Sequence, residues 1–141
     1  MKQQVLDTIR IELVVIACEG YNSEVHMQGQ LEIYINQKKP YDESSDIIDV
    51  EKLLNSLEKD GEYKIFSCCC GIPECSGWYK GINVFSNDLE TKWTNENNNE
   101  NWTFDTTSIH DQLRTIKEEV IFYKNFFRKK DIEYVGVGYN W

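Results

Sequence analysis

Long apolar runs are missing from this chain: no stretch approaches the roughly 20 residues that a helix needs to cross a bilayer. Positive charge is also scarce. Lysine and arginine number 15 against 24 aspartates and glutamates, a formal charge of -9 at pH 7. Affinity for phosphate backbones comes largely from cations that displace condensed counterions, so nucleic acid is not an expected partner. Histidine occurs twice, at His26 and His110, which leaves few imidazoles to activate a thiol. There is no phosphate-binding glycine loop, metalloprotease helix or hydrolase elbow. Gly136-Val137-Gly138 does not qualify as one, because no helix follows it to receive a pyrophosphate. The expectation is a protein that is not an enzyme.

A secretory leader is not expected either. Val15-Ile16-Ala17-Cys18 has the form of a bacterial lipid-attachment box, but Asp7, Arg10 and Glu12 interrupt the apolar core of about 7 to 15 residues that such a leader requires. The five cysteines are an odd number, and Cys68, Cys69 and Cys70 are too close together to pair easily. A disulfide framework is therefore unexpected, and a cytoplasmic setting with reduced thiols follows.

What the chain does have is material for one core. At 141 residues, with 40% apolar and 13% aromatic side chains, it can bury a single domain spanning 1-141, and disorder is excluded for the chain as a whole. Ile9, Ile11, Leu13, Val15 and Ala17 alternate, with Val14 and Ile16 on the opposite face, which predicts a strand that becomes buried on both sides. After a turn at Glu19 to Ser23, Val25, Met27, Leu31, Ile33 and Ile35 alternate with polar residues as a hairpin partner, and Gly29 marks a bulge or a close backbone approach. Asp49 is placed to cap a short helix carrying Val50, Leu53, Leu54 and Leu57 on one face, with Gly61 as its stop.

Further strands are predicted over 62-68, 78-86, 89-93 and 101-104, with an exposed asparagine-rich loop over 94-100. Thr107 or Ser108, with Asp111, is expected to cap a long helix whose stripe is Ile109, Leu113, Ile116, Val120, Tyr123 and Phe127, widened by Phe122 and Phe126. A last strand runs over 132-139. The order predicts an α+β domain: a mainly antiparallel sheet of about six or seven strands packed with one short and one long helix.

The acidity is local. Residues 41-60 carry seven carboxylates against Lys52 and Lys59, whereas 111-131 is mildly basic. Such asymmetry speaks first to solubility and association.

Four of the five cysteines fall within eight residues, in Phe66-Ser67-Cys68-Cys69-Cys70-Gly71-Ile72-Pro73-Glu74-Cys75-Ser76-Gly77. Along an extended chain Cys68 and Cys70 project to one face and Cys69 to the other, and a Gly/Pro turn can return Cys75 beside the first two. Three converging thiolates suit structural zinc, with Cys18, His110 or His26 as a remote fourth ligand. Small buried thiols packing beneath a tight turn are the alternative. The motif Phe66-x-Cys68-x-Cys70-Gly71-x-Pro73-x-Cys75-x-Gly77 resembles that of an uncharacterised family of small bacterial proteins, and Trp93 and Phe104 fit its later strand and pre-helix aromatic. The resemblance covers about the second half of the chain. It implies a shared fold unit and carries no activity.

The functional expectation is a cytoplasmic protein that binds, and inhibits or neutralises, a partner protein of the immunity or phage-conflict type. Self-association is left open. The alternatives are a zinc-stabilised module with Cys68, Cys70, Cys75 and Cys18 as ligands, and a binder of a small nucleotide signal using Arg114, Lys117 and Trp102. Trp141, as the final residue, is expected to be exposed.

Overall fold

A computed structural model describes residues 5-141. In chain order the elements are β1 (Ile9–Glu19), β2 (Val25–Ile35), β3 (Asp46–Ile48), α1 (Val50–Glu58), β4 (Gly61–Tyr63), β5 (Phe66–Cys68), β6 (Ile82–Ser86), β7 (Glu90–Asn95), β8 (Glu100–Asp105), α2 (Thr106–Arg128) and β9 (Tyr134–Val137). The class is α+β and the pairing mainly antiparallel, as expected. The strands fall into three sheets: β1-β2-β9, β3-β5 and β4-β6-β7-β8. Strand β3 has too few residues to show a period, and the run 62-68 splits between two sheets.

Strands β1 and β2 pair without interruption from Ile9↔Ile35 to Glu19↔Val25. Gly29 therefore marks no bulge. It makes room for β9, which lies parallel to β2, because a Cβ at Gly29 would collide with the hydroxyl of Tyr134. The Tyr134 and Tyr139 hydroxyls share a hydrogen bond of 2.6 Å above it.

The core lies between the β1-β2 face, α2 and the four-stranded sheet. Ile11, Ile33 and Ile35 of the hairpin, Ile109, Leu113, Ile116 and Val120 of α2, and Trp93 and Phe104 of the four-stranded sheet belong to one buried cluster. Phe66 joins the parts, its ring 5.2 Å from Tyr41, 5.1 Å from Trp78 and 6.3 Å from Trp93. Buried aromatic side chains of this size dominate the free energy of a small core.

Several local expectations change. Burial on both sides of β1 fails toward the hairpin tip, where Ile16 is 45% exposed, because nothing among the described residues covers that face. Asp49 does cap α1, accepting from Lys52 N, but the helix ends at Glu58 and Gly61 already opens β4. Asp105 caps α2 in place of Thr107 or Ser108: leaving β8 in extended conformation, its carboxylate accepts from the N–H groups of both. Phe122 and Phe126 do not widen the buried stripe, being 62% and 44% exposed. The asparagine-rich loop is a hairpin turn in which Asn95 is buried and Asn97 Nδ2 donates to Lys80 O at 2.8 Å. Trp141 is half-buried against Tyr139, with ring centroids 5.0 Å apart. Among the described residues no helix is long and apolar enough to cross a membrane.

Candidate metal centre

The cysteine turn is fastened at both ends to one short stretch of chain. Strand β5 pairs with β3, Cys68 opposite Asp46, and beyond the strand Cys69 N donates to Ser45 O at 2.8 Å. At the far end the Trp78 indole N–H donates to the Asp46 carboxylate at 3.0 Å. The chain between must therefore close on itself. Gly71 allows the first bend, at φ 90°, and its N–H donates to Cys68 O at 2.9 Å. Pro73 starts a single 3-10 turn over Pro73–Ser76, which Gly77 ends in the left-handed region at φ 89°. Lys64 pairs with Glu74 across the outside of the turn.

This closure brings the sulfurs of Cys68, Cys70 and Cys75 within 4.8 Å of one another. Thiolates about 2.3 Å from a tetrahedral zinc lie roughly 3.8 Å apart, so closing on such an ion takes no more than about 1 Å of movement. Cys68 is buried, while Cys70 and Cys75 are exposed. The three are close enough to hold a metal ion. Cys69, also exposed, is not part of the group, as its opposite projection requires.

The remote ligands are not brought in. Cys18 pairs with His26 near the tip of the β1-β2 hairpin, and neither belongs to the cluster. His26 faces Gln28, Nε2 to Nε2, at 3.1 Å, and His110 is exposed in the first turn of α2. A fourth ligand cannot be placed from strand periodicity alone, because it depends on how separate sheets are arranged. Of the nucleotide-binding candidates, Trp102 is buried, Arg114 pairs with Asp111 at 2.8 Å and Lys117 is exposed on α2.

The environment separates the thiols in acidity. The Cys68 thiol is pulled down to about 6, first by the backbone N–H of Cys70, then by the Ser76 hydroxyl and the thiols of Cys70 and Cys75. Cys75 is pushed up to about 11 by the side chains of Cys70 and Cys68, and the negative charge on Cys68 raises Cys69. Without a metal the Cys68 sulfur thus favours the thiolate, stabilised by hydrogen bonds that donate to it. Ser76 and Asp46 were not legible as parts of this site. A hydroxyl next to a motif cysteine is the only signal the sequence offers for Ser76. No protein-family model, curated protein or solved structure matches the chain.

Proposed function

We propose that the protein is a zinc-stabilised α+β module in which Cys68, Cys70 and Cys75 hold the ion and lock the corner between β5 and Trp78. The convergence of three sulfurs from an eight-residue turn supports this reading. Soft thiolate ligands favour zinc among the abundant divalent ions, and a thiol already near 6 reduces the proton release that binding demands. With three protein ligands, the fourth position takes water or a group from a partner. Metal analysis of protein purified without chelator should find one zinc per chain, lost in Cys70→Ser, with a lower melting temperature after chelation. Well under one zinc per chain in the unaltered protein sinks the proposal.

A second reading is that the module binds and neutralises a partner protein. Its support is the exposed pair Phe122 and Phe126, stacked with centroids 6.2 Å apart on α2 beside the exposed Ile121. A photoreactive residue at Phe122 should cross-link one protein in the native cell, while the same probe at exposed Lys92 should not. Equal labelling at both positions counts against it.

A further inference from the structure

Among the described residues no strand covers the outer edge of β1, and its hydrogen-bonding pattern is fixed. Ile11 N–H donates to Gln112 Oε1 at 2.7 Å, and Gln112 Nε2 donates back to Ile9 O at 2.9 Å. The side-chain amide of Gln112 thus stands where the first peptide group of an added strand would lie. Across the hairpin, Ile33 N–H also points away from β1, toward the Tyr41 hydroxyl, so Ile11↔Ile33 is a pair that exchanges no backbone bonds. By alternation, Leu13, Val15 and Ala17 turn their N–H and C=O groups outward, and among the described residues no other strand pairs with them. Free edges of soluble proteins are commonly protected by charge, proline or a bulge. Leu13 to Cys18 has none of these.

Beside this edge runs a groove of about 350 Å³ between β1 and α2. Its floor is Ile11, Leu13 and Ile116, and its carboxylates are Glu12, Asp111 and Glu119. Arg10 pairs with Glu12 at 2.9 Å and Arg114 with Asp111 at 2.8 Å, whereas among the described residues Glu119 has no cation within 4.0 Å. Thr115, Glu119, Phe122 and Phe126 follow at steps of four, three and four, so the wall of the groove continues into the exposed phenyl pair.

We infer that the β1 edge and this groove accept an extended basic segment of a partner protein as an additional strand. Backbone bonds to Leu13, Val15 and Ala17 supply affinity, apolar residues of the segment cover Val14 and Ile16, and a lysine or arginine of the segment reaches Glu119. A second copy is the less favourable occupant, because a two-fold pairing brings two sets of the same carboxylates together. The inference rests on the second reading above and adds the place and the chemistry of the partner.

The test uses the full chain and a synthetic peptide of alternating lysine and valine, long enough to span Leu13 to Cys18. Amide exchange at Leu13, Val15 and Ala17 should slow by about tenfold or more when the peptide is bound. Glu119→Lys, a change at an exposed helix position, should keep the melting temperature and weaken binding by about tenfold. An alternating glutamate and valine peptide should not bind. Unchanged exchange at those amides, affinity indifferent to Glu119→Lys, equal binding of the acidic peptide, or concentration-dependent protection without peptide would each overturn the inference. A single cross-linked partner at Phe122 combined with any of these results leaves the partner-binding reading standing and removes only this site.

Discussion

The cysteine turn and the tip of the β1-β2 hairpin are opposites. The turn is irregular, yet each of its ends is tied down: Cys69 to Ser45, Trp78 to Asp46. The hairpin strands pair without a break up to Glu19↔Val25, yet among the described residues the outer edge of β1 is tied to nothing beyond Gln112. An irregular backbone must find particular partners for its polar groups, and those partners fix its geometry. A strand satisfies half of its groups in its own hairpin and leaves the other half free to meet something else.

The largest expected effect comes from breaking the tie at the turn. Trp78 is buried against Phe66 and donates to Asp46, so Trp78→Ala removes both an anchor and a core ring. A loss of about 3 to 5 kcal/mol in urea unfolding is expected, together with weaker zinc binding. A loss below about 1 kcal/mol would show that the turn holds itself without the anchor.

A pH titration of the metal-free protein sharpens the same contrast. The Cys68 thiol falls from its ordinary 9.0 to about 6 on folding. Below pH 6 it is protonated in both states and adds nothing; from pH 6 to 9 the folded state alone is ionised, and stability climbs. Cys75 acts in the opposite sense, because its thiol rises from 9.0 to about 11, and stability falls again above pH 9. The urea midpoint should therefore rise between pH 6 and 9 and then decline, and the rise should vanish in Cys68→Ser. A midpoint that stays flat across this window contradicts the thiolate assignment.

These two regions also show which parts of the molecule were legible in the sequence. Alternation located β1 and β2, the spacing of Val50, Leu53, Leu54 and Leu57 located α1 with its Asp49 cap, and the projection of alternate residues separated Cys69 from Cys68 and Cys70. Periodicity names a face but not what covers it. The same alternation that buries Ile9 and Ile11 leaves Ile16 in solvent, and the same helical spacing that buries Val120 leaves Phe122 exposed. Contacts set by the arrangement of separate sheets were illegible for the same reason: the Asp46 anchor, the remoteness of Cys18 and the seating of Gln112 on the β1 edge.

The smallest expected effect lies at the hairpin tip. Ile16→Thr keeps a β-branched side chain on a strand and alters a position that already faces water. Stability should change by no more than about 0.5 kcal/mol, read as a near-constant urea midpoint. A loss of about 2 kcal/mol or more would mean that Ile16 is covered in solution, since only a buried side chain loses that much when its apolar surface is removed. Among the described residues nothing covers Ile16, so a second copy is the cover to test, and a loss caused by it would diminish on dilution. Concentration-independent neutrality keeps the edge open, which is the condition that docking of a basic strand requires.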